Sequence, residues 1–410
     1  MKRVVITGYG IISAIGNDID TFWQNTAAGK SGIKLMKDPE FADIPTRIAA
    51  YIENFDAEKY MNKKDINKTD LFTQYAYAAA SQALESGGVN DETFDKNRVG
   101  IYIGSGVGGL DTILKNHKIF LEKGSRRVSP FMVPMMITNM AAGFISINTG
   151  FKGPSFSPVS ACATSNHAIG EAFLSIKHGY TDAVLAGGAE SPLNPLTFAG
   201  FSNMKAMSRN NDNPLEASRP FDKDRDGFVI AEGAGILLLE EYEHALKRGA
   251  VILGEIAGYG ATSDAFHMTT PDFHGAERAM NLALSTAGVH PASVNYINAH
   301  ATSTKEGDIS ETNAIKSVFG ESVKNLKISA TKSITGHLFG TAGGAEAIIT
   351  LKAIENSLVP PTINLKNSDE KCDLDYTPNI AVKHDIEYAL SNGFGFGGHN
   401  ASLLFKKYHG

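Results

Sequence analysis

Short β-branched runs alternate with helix-periodic stretches from one end of this chain to the other, and that alternation most restricts its fold. Runs that read as strands are Arg3–Thr7, Val99–Ile103, Ala183–Ala186, Gly235–Glu240, Tyr296–Asn298, Lys327–Ser329 and Ser402–Phe405. Helical patterns cover Asp70–Ser86, Thr164–His178, Tyr242–Arg248, Gly275–Ala287, Ser310–Phe319 and Gly343–Glu355. Strands alternating with helices predict a layered α/β fold. The 410 residues are long for one domain. They divide into two comparable α/β stretches, 1–250 and 251–410, with a seam at Lys247-Arg248-Gly249-Ala250. No Pro- or Ser-rich linker separates the two, so an extensive shared interface is expected.

Composition narrows the function. With 42% apolar and 20% charged residues the chain can bury a large core, and its 41 glycines point to tight turns and close backbone approaches. A net charge of −6 carries no overall nucleic-acid signature. The opening run Val4-Val-Ile-Thr-Gly-Tyr-Gly10 is interrupted by its glycines and leads to Asn17, Asp18 and Asp20. It reads as a first strand ending at Thr7, not as a secretion signal. No uninterrupted apolar run of ~18 residues occurs, so no membrane span is expected. Two cysteines, Cys162 and Cys372, are too few for a disulfide scaffold, so a reducing cytoplasm is the default.

Three patterns invite a cofactor and are read as structural. Gly104-Ser-Gly-Val-Gly-Gly109 matches a dinucleotide fingerprint, but Gly393-Phe-Gly-Phe-Gly-Gly398 repeats the pattern ahead of a strand, where no long helix follows. Asp222-Lys-Asp-Arg-Asp-Gly227 resembles a calcium loop but lacks the final glutamate at the required spacing. His267 and His274 have no third ligand at a metal-binding spacing. No metal and no resident cofactor are expected.

Chemistry concentrates in three turns built of small residues. Gly153-Pro-Ser-Phe-Ser-Pro-Val-Ser-Ala-Cys162-Ala-Thr-Ser-Asn-His167 reads as strand, sharp turn and helix, the layout of a nucleophile elbow. A thiol at a helix N-terminus is expected to have a lowered pKa. Tyr296-Ile-Asn-Ala-His300-Ala-Thr-Ser-Thr304 ends a strand in a histidine, and Thr331-Lys332-Ser-Ile-Thr-Gly-His337 puts a lysine and a histidine before a Gly/Ala-rich helix. Any one of these taken singly is ordinarily a buried structural residue. A Cys, two His and a Lys in three such turns point to covalent catalysis.

These motifs resemble the β-ketoacyl-acyl carrier protein synthases, and most closely the elongating type II enzymes. The resemblance is carried by SACATS around Cys162, NAHATST around His300, TKSITGH with Lys332 and His337, and the terminal NGFGFGGHN. It extends to RPFDKDRDGF (Arg219–Phe228) and PPTINL (Pro360–Leu365). It implies a thiolase-like five-layered α-β-α-β-α fold of two pseudo-symmetric halves, each a βαβαβαββ core, and a homodimer. It also implies that Cys162 holds the acyl group, with the backbone N–H groups of Cys162 and Phe396 as oxyanion donors and Phe396 as gate. His300 and His337 would stabilise the enolate formed as malonyl-acyl carrier protein loses carbon dioxide. Lys332 would orient His300, with Glu346 and Asp308 in support.

The same resemblance assigns Thr269, Thr302 and Thr304 to the pantetheine arm carried by acyl carrier protein. It gathers Lys63, Lys64, Lys68, Arg126, Arg127 and Lys205 around the tunnel mouth as a basic docking patch. It puts Val107, Met132 and Phe201 along the acyl pocket, with the Met-rich Pro130–Ile137 stretch near a dimer interface. Cys372 fits no thiolase motif and reads as structural. Two departures are mild: Ala301 stands where Gly is usual, and Gly393 where Ser is common, which is expected to loosen the gate loop. Alternatives are a type II polyketide or aryl polyene ketosynthase, and a chain-length partner subunit without catalysis.

Overall fold

The computed structural model describes residues 1–89 and 93–410. Ten strands form one sheet. They are β1 (Val4–Ser13), β2 (Val99–Gly104), β3 (Ser155–Phe156), β4 (Ala183–Glu190), β5 (Gly233–Glu241), β6 (Gly254–Ser263), β7 (Val294–Asn298), β8 (Lys327–Ser329), β9 (Tyr388–Gly395) and β10 (His399–Lys406). Their order across the sheet is β8-β7-β9-β10-β6-β1-β5-β4-β2-β3. Each half repeats one plan. In the first, β1–β5 and β5–β4 pair antiparallel, whereas β4–β2 and β2–β3 are parallel. In the second, β6, β10, β9, β7 and β8 repeat that sequence of pairings. The halves join edge to edge where Val4–Ile6 of β1 meet Gly254–Ile256 of β6.

Helices complete five layers. α1 (Leu71–Ser86) packs on β1, β4 and β5, and α3 (Phe273–Ala287) packs on β6 and β10, with α4 (Lys305–Phe319) against α3. Between the two sheet halves lie α2 (Thr164–Lys177) and α5 (Ala342–Asn356), which touch each other and strands of both halves. Every residue of α5 from Ala342 to Ile354 is buried. A helix enclosed on all sides cannot be amphipathic, and its AGGAEAII opening is small enough for neighbouring backbones to close on it.

The first strand runs past Thr7 to Ser13, with a bulge between Ile6 and Gly8. A Cβ at Gly8 or Gly10 would come within 2.2 or 1.9 Å of the carbonyl oxygens of Ala83 and Ala79 in α1. These glycines are where the helix lies directly on the strand, and they do not end it. Gly258 and Gly260 of β6 meet Ala283 and Ala279 of α3 in the same way, at 2.0 and 2.1 Å.

Candidate active site

Cys162 sits in a single 3-10 turn, Ala161–Ala163, which leads directly into α2. Ala161 takes φ 49°, a left-handed conformation that a residue with a Cβ seldom adopts and that marks a strained turn. The Ser160 N–H donates to Thr164 Oγ1 at 2.9 Å and fastens the turn. On the other side the terminal glycine turn closes in: a Cβ on Gly395 would lie 2.6 Å from Ser160 O and 3.1 Å from Cys162 N. Only glycine lets that backbone approach.

The thiol faces His337, with Sγ 3.0 Å from Nε2. His337 is fixed by its backbone, which donates to Val229 O at 2.7 Å and accepts from Ala231 N–H at 2.9 Å. The rings of Phe228 and Phe339 flank its imidazole. His300 lies two residues beyond β7, its ring centroid 5.4 Å from that of His337. The Glu311 carboxylate on α4 holds this turn, accepting the N–H groups of His300 (2.9 Å) and Ala301 (2.7 Å) and the amide of Asn392 (3.0 Å). Cys162, His300 and His337 each present a sulfur or nitrogen within 4.8 Å of the others. One thioester group could therefore touch all three.

Burial sets the protonation states. It holds both imidazoles well below their usual 6.5, and the Lys332 charge pushes the same way, so both are neutral at physiological pH. Burial also pushes the Cys162 thiol up to about 12; Lys332 and the backbone N–H groups of Phe396 and Cys162 act downward without prevailing. The lowered pKa expected from the helix N-terminus is thus reversed, because the sulfur packs against an apolar cluster that includes Phe198, Phe228 and Phe339. Lys332 is more fully enclosed than the cavity-facing thiol. Its ammonium donates to Glu346 at 2.5 Å, and it acts on His300 through its charge, not by clasping the ring. Glu346, pushed up to about 7 by burial against the pull of Lys332, keeps one carboxyl oxygen without a partner.

Asp308 belongs to a different cluster from the one the resemblance implied. It accepts the N–H groups of Phe221 and Ser303 and lies 3.3 Å from the Arg225 guanidinium. Arg225 is fully buried and also donates to Asp369 and to the carbonyls of Asp222, Thr304 and Lys305. The calcium-like segment is therefore organised around an arginine.

A cavity of about 650 Å³ opens onto the thiol. Of the sequence-derived residues, Cys162, His300, His337, Phe396, Val107, Phe201, Lys205, Thr269, Thr302 and Thr304 line it. Met132 does not; it stands in a separate surface helix, Met132–Met136, whose neighbours Phe131 and Val133 are exposed. Lys63, Lys64, Lys68, Arg126 and Arg127 also lie outside the lining. Lys68 packs its ammonium over the Phe131 ring at 5.1 Å, which ties its segment to the chain just beyond Arg126 and Arg127. Gly393 is not in the gate loop; it lies within β9, where a Cβ would come 2.2 Å from the Asn166 side chain.

Family models match most of the chain: the N-terminal domain of beta-ketoacyl synthase over residues 1–245 and its C-terminal domain over residues 253–366. The chain belongs to the beta-ketoacyl synthase family. A 3-oxoacyl-acyl-carrier-protein synthase 2 from Synechocystis sp. is 48% identical over 409 residues, covering 99% of this chain and 98% of that protein. Among solved structures, the ishigamide ketosynthase/chain length factor aligns over 100% of both chains with a TM-score of 0.94 and 33% identity. A type II PKS ketosynthase, solved in complex with its acyl-carrier protein and bound to the hexaketide, aligns over 100% of both chains with a TM-score of 0.92 and 32% identity.

In this synthase the dinucleotide-like glycines have a structural occupation. The N–H groups of Gly106 and Val107 donate to the buried Glu190 carboxylate, so the chain supplies its own anion where a phosphate would bind. Gly393–Gly398 closes the hairpin between β9 and β10. Glu190, Glu311, Phe228 and Phe339 are the site residues that sequence reasoning missed.

Proposed function

We propose that Cys162 carries the growing acyl chain and that His300 and His337 act on the malonyl unit, in a β-ketoacyl-acyl carrier protein synthase of fatty acid elongation. The observation that carries this reading is the neutral thiol 3.0 Å from a neutral, buried imidazole, with a second imidazole beside it. In the first half-reaction Sγ bonds to the acyl carbonyl carbon and the carrier's carbon–sulfur bond breaks. The thiol proton passes by way of solvent to the departing pantetheine sulfur, while His337 Nε2–H stays hydrogen-bonded to Cys162 Sγ. In the second, the bond from the malonyl carbon to its carboxylate breaks, releasing carbon dioxide and leaving an enolate. The enolate oxygen accepts from the Nε2–H groups of His300 and His337. Its carbon attacks the Cys162 thioester, and the N–H groups of Cys162 and Phe396 hold the oxyanion. Such donors are typically worth about 3–4 kcal/mol each. Collapse breaks the carbon–sulfur bond to Cys162, whose thiolate takes one proton from solvent to return the thiol, and 3-oxoacyl-acyl carrier protein is released.

Thr269, Thr302 and Thr304 would hold the pantetheine arm, and Phe396, 37% exposed at the cavity, would admit the acyl chain. Lys205 at the mouth, with Lys63, Lys64, Lys68, Arg126 and Arg127 on the surface outside it, suits an acidic carrier. Residues 1–250 then supply the nucleophile and 251–410 the histidines. A homodimer is supported by the edge strand β3, where Phe156 is exposed, with Val159 just beyond it and Ile147, on a helix that packs against β3, also exposed; pairing two copies there would cover an open apolar edge. A cytoplasmic location fits the cysteine usage, and no described helix is long and apolar enough to cross a membrane.

Intact-protein mass after incubation with acyl-carrier proteins of several chain lengths tests the assignment. Wild type is expected to gain one acyl group and Cys162→Ala none. Folded wild type that gains nothing from any carrier rejects it and favours a partner-subunit role. Polyketide starter units accepted in preference to fatty acyl chains would favour the polyketide reading.

A further inference from the structure

Each half of the fold contains an elbow of the same kind, and only one of them carries a nucleophile. Ala161-Cys162-Ala163 precedes α2, and Phe339-Gly340-Thr341 precedes α5; Ala161 and Phe339 share φ near 49°, at 49° and 48°. At the first elbow the N–H of Cys162 is turned toward the sulfur. At the second, the matching N–H of Gly340 donates to Glu190 at 2.9 Å.

Glu190, the last residue of β4, is fully buried. Its other donors are Ser105 Oγ at 2.5 Å, Gly106 N–H at 2.8 Å and Val107 N–H at 3.1 Å. A Cβ on Gly340 would lie 2.6 Å from Gly106 N and 2.8 Å from the carboxylate. The two glycine turns therefore press together with the carboxylate between them. One turn carries Val107 into the cavity. The other carries Phe339, which also lines it and stacks on Phe201 at 5.1 Å. The Gly340 carbonyl in turn accepts from Ser165 Oγ on α2, three residues beyond the nucleophile.

We propose that Glu190 is a positioning residue that fixes Val107 and Phe339 relative to Cys162 and thereby sets which acyl chains the synthase accepts. This rests on the proposed acyl transfer to Cys162. In Glu190→Gln the NH2 would face the N–H groups of Gly106 and Gly340 in one orientation and that of Val107 in the other, so the clamp cannot close fully in that variant. Hydrophobic pockets discriminate by small differences in wall position, with one methylene changing rates about tenfold or more.

The test measures initial rates of Cys162 acylation by intact mass, using butanoyl to palmitoyl carriers, for wild type, Glu190→Gln and Ser105→Ala. The rate ratio between the best and worst chains is expected to shrink at least about tenfold in Glu190→Gln and part of the way in Ser105→Ala. A purely structural role would lower all rates in parallel, and an unchanged ratio in folded Glu190→Gln overturns the proposal. If that variant does not fold, an unchanged ratio in Ser105→Ala overturns it. Wild type that takes no chain would sink the acyl-transfer reading itself, and the proposal with it, and the wild-type trace alone reveals that case.

Discussion

Replacing Lys332 by methionine should destabilise the enzyme in a pH-dependent way that a second substitution repairs. Lys332 and Glu346 are 1% and 2% exposed, and the ammonium and carboxylate are 2.5 Å apart. Methionine fills much of the lysine's space but removes the ammonium, stranding a carboxyl group that already has one oxygen without a partner. Removing one member of a buried pair costs about 3–5 kcal/mol. With an unfolding entropy of about 2.1 cal/mol/K per residue, that loss lowers the Tm of a chain this long by about 4–6 °C. The pH dependence follows from Glu346. Its folded pKa of about 7 lies above the ordinary 4.5, so the folded state holds the proton more tightly and stability falls as pH rises through that window. Without Lys332 the folded pKa climbs further, and the fall extends to higher pH. The deficit of Lys332→Met should therefore be larger at about pH 8 than at about pH 6. Lys332→Met/Glu346→Gln, which removes both charges of this pair, should regain most of the loss and show less dependence on pH. Thermal unfolding of the three proteins at both pH values, at one protein concentration, decides it. Equal losses in the single and double variants, or a deficit that does not grow with pH, would refute the reasoning.

Three further outcomes are expected. Because burial raises the Cys162 thiol to about 12, its alkylation by iodoacetamide should accelerate about tenfold per pH unit from neutrality to about pH 9 without levelling off; a plateau near neutrality contradicts this. Gly10→Ala should cost at least the roughly 1–3 kcal/mol of an overpacked contact, since its Cβ would lie 1.9 Å from Ala79 O. Gly200→Ala, in the helix Pro195–Asn203 with nothing within 4 Å of the new Cβ, should be neutral or gain up to about 1 kcal/mol. Chemical denaturation compares the two.

The reacting groups were legible because each stands in a short run of small and hydroxyl-bearing residues, and Cys162, His300 and His337 do converge. Their electrostatics were not. The helix start at Cys162 is local information, whereas the apolar enclosure that raises its pKa comes from residues as far apart in sequence as Phe41, Phe228 and Phe339. Glu190 and Glu311 left no signal for a related reason: most of their partners are backbone N–H groups, which have no sequence identity to recognise. Gly8 and Gly10 were misread because a glycine that admits a helix looks the same in sequence as one that ends a strand. The clue to the duplicated halves lay there: Gly8-Tyr9-Gly10 recurs as Gly258-Tyr259-Gly260. α4 begins at Lys305, not Ser310, because its polar first turn carries no apolar periodicity.

The central position of β1 bears on how the protein is made. Its sheet partners are β5 and β6, so this strand leaves the ribosome long before either neighbour has been synthesised. Throughout that interval an apolar strand with two open edges is unpaired. Pairing over so long a separation is intrinsically slow, and such a strand is a site for association with other chains. The early folding of the protein is therefore a problem of keeping Val4–Ser13 protected, and any chaperone that assists it should engage the first strand before the residues of the active site have been synthesised.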